Sequence, residues 1–139
     1  MDSFASLFLH HVGFVVPEVR AGMDVFVVSL GATWDGVIYQ DPLQKVKVAF
    51  LTTRLGDAQI ELVEPDGPGS PVLRFLKENG GGLHHVCYEV DDLERQMTAM
   101  KFQGALIVRP PKPAVAFEGR RIAWMLTSGK LLVELLEKR

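Results

Sequence analysis

One short phrase occurs twice in this chain, and it limits the available folds more than any other feature. Leu9-His10-His11-Val12 returns as Leu83-His84-His85-Val86, 74 residues later. The likeness continues downstream, where Val16 matches Val90, Val19 matches Leu93 and Met23 matches Met97 at the same spacing. At a spacing of 73, Gly31-Ala32 recurs as Gly104-Ala105, and Ile60-Glu61-Leu62-Val63-Glu64 as Val133-Glu134-Leu135-Leu136-Glu137. Each half therefore begins on a histidine strand and ends on a glutamate strand. A repeat of this length is one supersecondary unit, and a unit too small to close a core alone stacks on its copy.

Both histidine runs alternate at period two, which makes them strands. His11 shares a face with Leu9, Gly13 and Val15, opposite Val12, Phe14 and Val16. His85 shares one with Cys87 and Glu89, opposite the core-like Val86, Tyr88 and Val90. Pro17 suits the first turn of a helix, since its missing N–H has no partner there. Val19, Met23, Phe26, Val27 and Leu30 supply that helix with an apolar stripe ending at Gly31. Strands are expected at about 33–40, 45–53 and 58–64, divided by Asp41-Pro42 and Leu55-Gly56-Asp57 turns.

Pro65–Gly69 joins the halves. Ser70 reads as an N-cap with Pro71 at the first helical position, for a short helix closed by Asn79-Gly80. The second half replays the first. After the strand at 83–90, Asp91 with Glu94 predicts a capping-box start, and Leu93, Met97 and Met100 line the helix to Gly104. Strands near 105–109, 120–127 and 130–137 follow, the last two around a Ser128-Gly129 hairpin turn, with 110–119 as loop. The expected class is α+β: two βαβββ modules in tandem, about 9–64 and 83–137, with a connecting helix at about 70–79, in one domain spanning 1–139.

A chain of 139 residues with 47% apolar content has the means to bury a substantial core. A net charge of −2 argues against a nucleic-acid partner, because a phosphate backbone asks for a strongly basic face. The Phe4–Leu9 run is too short to span a membrane and lacks the features of a signal peptide. With Cys87 as its single cysteine the chain forms no internal disulfide, and a cytoplasmic location is expected.

Two half-copies related by a rough twofold bring His11 to face His85 and Glu61 to face Glu134. Alternation leaves each glutamate among apolar neighbours, where a carboxylate is costly unless paired or bound to a cation. Taken singly, a strand histidine is an ordinary hydrogen-bonded side chain and a strand glutamate an exposed one. Four at matching places favour a site for a divalent metal such as cobalt, nickel, manganese, iron or zinc. Such a site keeps open positions for a chelating substrate. His10 and His84 point the other way and read as structural, Glu64 and Glu137 as exposed, and Cys87 as a small buried hydrophobe. Glu89 has only Val15 as counterpart, which leaves an outer-sphere role as a guess. Arg54, Arg109, Lys112, Arg120, Arg121 and Lys130 fall in or beside turns and read as solvated surface, with phosphate contact as the alternative.

Leu9–Gly13, Lys45–Leu51, Gln59–Pro65, Ser70-Pro71, Gly82–Val86, Glu89–Asp92 and Leu132–Leu135 together resemble the vicinal oxygen chelate superfamily, and within it most nearly the methylmalonyl-CoA epimerases, with glyoxalase I further off. The resemblance implies curved mixed sheets around a metal-binding cavity, with His11, Glu61, His85 and Glu134 as ligands. It implies a carbonyl substrate, for an epimerase an acyl-CoA, whose proton next to the thioester carbonyl is removed through a metal-stabilised enolate and returned on the other face. Glu134 is then the ligand that doubles as base, Glu61 a ligand and its partner opposite, and an isologous homodimer is expected.

The chain departs from the epimerase pattern between Arg109 and Lys130, with Ala114–Gly119 in place of a Gly-rich segment and a clipped Thr127-Ser128-Gly129 turn. It also has no acidic residue at Lys47-Val48, where some epimerases place one. Two rivals therefore stand beside the epimerase: a glyoxalase I-like lyase or isomerase acting on a thiol adduct or a biosynthetic intermediate, and a non-enzymatic small-molecule binding protein of the same fold.

Overall fold

The computed structural model describes residues 7–53 and 59–139. Arg54, Ala58, the Leu55-Gly56-Asp57 turn and the start of the Phe4–Leu9 run lie outside the described residues. The chain divides into two compact units, His11–His84 and Met1–His10 with His85–Arg139, and each cut passes through a histidine pair.

The first unit is a mixed sheet with a helical layer. Strand β1 (Phe8–Val15) pairs in parallel with β5 (Gln59–Pro65), and β5 pairs antiparallel with β4 (Val46–Thr52). Two short strands, β2 (Thr33–Trp34) and β3 (Tyr39–Asp41), pair antiparallel with β4. They replace the single strand expected at 33–40. Between them Asp35 turns back on itself, its Oδ1 accepting from the Val37 N–H at 2.9 Å, and Gly36 takes φ +85°. Helix α1 (Val19–Asp24) lays Val19 and Met23 onto Ala49, Leu51 and Leu62. Leu30, expected on the same stripe, is exposed. The reason is the π-helical turn Val25–Ser29, whose extra residue per turn rotates the stripe off the sheet.

Helix α2 (Leu73–Asn79) starts later than expected, after a turn in which the Leu73 N–H donates to the Ser70 carbonyl. Ser70 caps nothing. Gly80 ends the helix in the left-handed region, its N–H donating to the Leu76 carbonyl at 2.8 Å. The next glycine has a stricter duty: at Gly81 (φ +105°) a Cβ would stand 2.7 Å from the Val15 carbonyl oxygen.

The second unit repeats the plan as β6 (Gly82–Val90), α3 (Leu93–Phe102), β7 (Leu106–Pro113), β8 (Arg121–Leu126) and β9 (Leu132–Glu137). Here β6 and β9 are parallel, while β8 pairs antiparallel with both β9 and β7. Leu93 and Met97 on α3 close a core with Val90, Ala123, Met125, Val133 and Leu135. The helix is capped by Asp92, which accepts from the Arg95 N–H at 3.1 Å, so the cap falls one residue after the expected Asp91. The prolines expected in a loop lie on β7 instead. This is the outermost strand of its unit and its pairing is bulged, which is where a sheet tolerates missing donors. The β8–β9 hairpin holds three residues instead of two, with Lys130 at φ +64° and the Thr127 N–H donating to the Leu131 carbonyl. Among the described residues no helix is long and apolar enough to cross a membrane.

Candidate functional site

Period-two alternation sorts each sheet into a helix-packed face and a second face, and the histidines and terminal glutamates occupy the second. In the first unit β1 turns Phe14 and Val16 toward α1, which leaves His11, Gly13 and Val15 buried on the other side. On β5, Ile60 and Leu62 pack with α1, so Glu61 projects where His11 does. The structure brings the two together, His11 Nε2 lying 3.3 Å from Glu61 Oε1. His11 has no exposed surface and Glu61 retains 5%.

The second unit reproduces this pair. His85 Nε2 stands 3.3 Å from Glu134 Oε1, with 2% of each residue exposed. A carboxylate taken out of water to this degree is uphill unless a cation or a hydrogen-bonding partner faces it, and a neighbouring imidazole supplies that only in part. Each pair thus presents one nitrogen and one oxygen donor in a dry setting, the mixed set that suits a first-row divalent ion.

An aromatic ring walls each imidazole. Phe50 meets His11 edge to face at 5.5 Å, and Trp124 meets His85 at 4.7 Å with an interplanar angle of 80°. Both rings sit directly across the ladder from a glutamate, Phe50 opposite Glu61 and Trp124 opposite Glu134. Such contacts fix ring orientation and exclude water. Sequence reading passed over these two residues, although Phe50 and Trp124 stand 74 apart, the spacing of the repeat itself.

The remaining candidates sort by face. His10 and His84 point away from the paired histidines and make edge contacts with Phe117 and Phe75 respectively, as structural side chains do. Cys87 is fully buried. Glu64 and Glu137 are half-buried, not exposed as expected. Glu64 Oε1 accepts the Val19 N–H at 2.8 Å and so caps α1 from the neighbouring strand. Glu137 binds Arg121 through both oxygens, at 3.0 and 2.6 Å. Two arginines read as solvated surface are engaged as well. Arg121 bridges Glu137 and Glu94, holding both carboxyls below their ordinary range through its hydrogen bonds. Arg120 Nη1 donates to Glu89 Oε2 at 2.7 Å.

Residues 10–124 match the Glyoxalase/Bleomycin resistance protein/Dioxygenase superfamily. An ethylmalonyl-CoA/methylmalonyl-CoA epimerase of Cereibacter sphaeroides is 35% identical over 118 residues, covering 84% of this chain and 86% of that protein. Among solved structures, a hypothetical protein of Bacillus halodurans C-125 superposes with a TM-score of 0.84 at 30% identity, covering 96% of each chain. The methylmalonyl-CoA epimerase of Mycobacterium tuberculosis superposes with a TM-score of 0.82 at 25% identity, covering 94% of this chain and 87% of that one. With its duplicated βαβββ plan and a buried histidine–glutamate pair in each copy, the chain belongs to the glyoxalase/bleomycin resistance/dioxygenase superfamily.

Proposed function

We propose that the protein is a metal-dependent epimerase acting on a methylmalonyl-CoA-type thioester, and that His11, Glu61, His85 and Glu134 jointly hold one divalent ion. The observation that carries this reading is the recurrence of the same buried pair, imidazole and carboxylate at 3.3 Å under an edge-on ring, in both copies of the repeat. Cobalt, nickel, manganese, iron and zinc all suit such a donor set. When bound, the ion supplies a Lewis acid that lowers the cost of negative charge on the substrate carbonyl.

The chain's own residues have distinct duties in this reading. Glu134 takes the proton next to the carbonyl, from a buried position beside His85. Glu61, its counterpart in the other copy, returns a proton to the opposite side. Phe50 and Trp124 hold the imidazoles in place and keep water from quenching the carbanion. The relatives named as epimerases support the substrate class, and a homodimer is expected from the fold.

The test is proton NMR of methylmalonyl-CoA in D₂O, with protein stripped of metal and reloaded with cobalt. Metal-dependent loss of the signal from the hydrogen next to the thioester is the expected result. No loss, in protein shown to hold metal, would move the assignment to a glyoxalase-like reaction on another carbonyl compound.

A further inference from the structure

The side chains next to the two histidine–glutamate pairs do not match. In the first unit the row that starts at His11 runs across the register through Gln59 on β5 and Thr52 on β4 to Thr33 on β2. Residues side by side on neighbouring strands share a face, so this row stands on the face of His11 and Glu61. At the repeat spacing of 73 or 74 residues the second unit holds Leu132, Leu126 and Leu106, again in register with one another. One copy therefore carries an amide and two hydroxyls where the other carries three leucines.

Gln59 is the member of the row closest to the pair. It lies directly beside His11 and two residues from Glu61, or about 7 Å along β5 at the usual rise per residue. The two threonine hydroxyls satisfy each other at 2.6 Å. The Gln59 amide makes no hydrogen bond among the described residues, and the side chain is half-buried with neither amide atom sealed from solvent. Two N–H donors are thus open on the face that carries His11 and Glu61. Packing does not require them, because leucine fills the equivalent position in the second unit.

We infer that Gln59 is a specificity residue whose amide N–H donates to a carboxylate borne by the reacting carbon of an acyl thioester, with the Thr33–Thr52 hydroxyl pair as the polar wall beside it. A carboxylate oxygen strengthens the bond it accepts from a neutral donor. The separation along β5 suits a carbon in reach of Glu61 that carries its carboxylate toward Gln59. The inference deepens the proposed reaction and rests on it for the thioester.

The test titrates methylmalonyl-CoA and propionyl-CoA, which differ only in that carboxylate, into wild-type, Gln59→Leu and Gln59→Glu proteins by isothermal calorimetry. Wild type should prefer methylmalonyl-CoA. Gln59→Leu, which copies the second unit, should bind it roughly tenfold more weakly, as loss of a hydrogen bond to a charged group implies, and bind propionyl-CoA as before. Gln59→Glu sets a like charge against the carboxylate, so it should lose at least as much and carries the test if the leucine variant does not fold. A structural role alone would weaken both thioesters equally. That result, or a wild type without preference, overturns the inference. Deuterium exchange in methylmalonyl-CoA is read separately. Exchange with a preference independent of Gln59 sinks this inference alone, a Gln59-dependent preference without exchange sinks the epimerase reading alone, and binding of neither thioester sinks both.

Discussion

The two units start from the same phrase, and what they share differs from what they do not. Both place an imidazole 3.3 Å from a carboxylate on the face away from their helix, and both set an aromatic ring against that imidazole. Their scaffolding has diverged. Helix α1 has no side-chain cap from its own N-terminus and takes one from Glu64 on β5, whereas α3 is capped locally by Asp92. Glu137, the counterpart of Glu64, is thereby released to grip Arg121. One ring is Phe50 and the other Trp124, and only the second unit carries an ion pair, Glu89–Arg120, where the first has Val15 in place of Glu89. The donor geometry is thus held alike while its supports vary with local packing.

The largest expected effect breaks the equivalence of the two glutamates. In metal-replete protein Glu134→Gln should lower turnover by about 10²–10⁴, the range for a missing proton-transfer group. Full turnover in that variant would remove Glu134 as the base. Glu61→Gln should cost less in one stereochemical direction than in the other, as read by exchange from each epimer.

Next in size is Gly81→Ala. The added Cβ would meet the Val15 carbonyl oxygen at 2.7 Å in a backbone region that favours glycine, so a loss of about 2 kcal/mol or more is expected in denaturant unfolding. Unchanged stability would show that the chain leaves α2 by another route.

The borrowed cap and the local one should prove close to equal. Glu64→Ala and Asp92→Ala are each expected to cost about 1 kcal/mol in the same assay. A far smaller loss for Glu64 would mean that α1 is held by packing alone.

The smallest effect is a dependence on pH confined to the second unit. Glu94 and Glu137 are held below their ordinary range by Arg121. A carboxyl with a depressed folded pKa adds stability above its unfolded value and loses it as pH falls through the folded one. The difference in Tm between wild type and Arg121→Gln should therefore be present at neutral pH and vanish in acid. A difference that persists in acid would assign the contribution to packing of the arginine stem.

Much of this was legible in the sequence because alternation and repetition are local signals. The faces of His11, Glu61, His85 and Glu134 follow from period two, and the spacing of the repeat matched the halves. Boundaries were harder wherever a distant partner decides. Pro110–Pro113 reads as loop, yet β8 is there to pair with it, and no residue of the run announces that partner. Asp91 and Asp92 are equivalent as caps on paper, and only the backbone conformation at Asp92 selects the second. Leu30 was misplaced because a π turn leaves no signature in an apolar stripe. Arg120 looked like surface because its partner Glu89 lies 31 residues away in sequence.

The proposed metal site takes one histidine–glutamate pair from each copy for a single ion. Metal content by mass spectrometry after cobalt loading tests it most directly, in wild type, His11→Ala and His85→Ala. One ion per wild-type chain, lost when either histidine is removed, is the predicted result. Two ions per chain, or full occupancy in either variant, would show that the pairs act apart and would contradict the account.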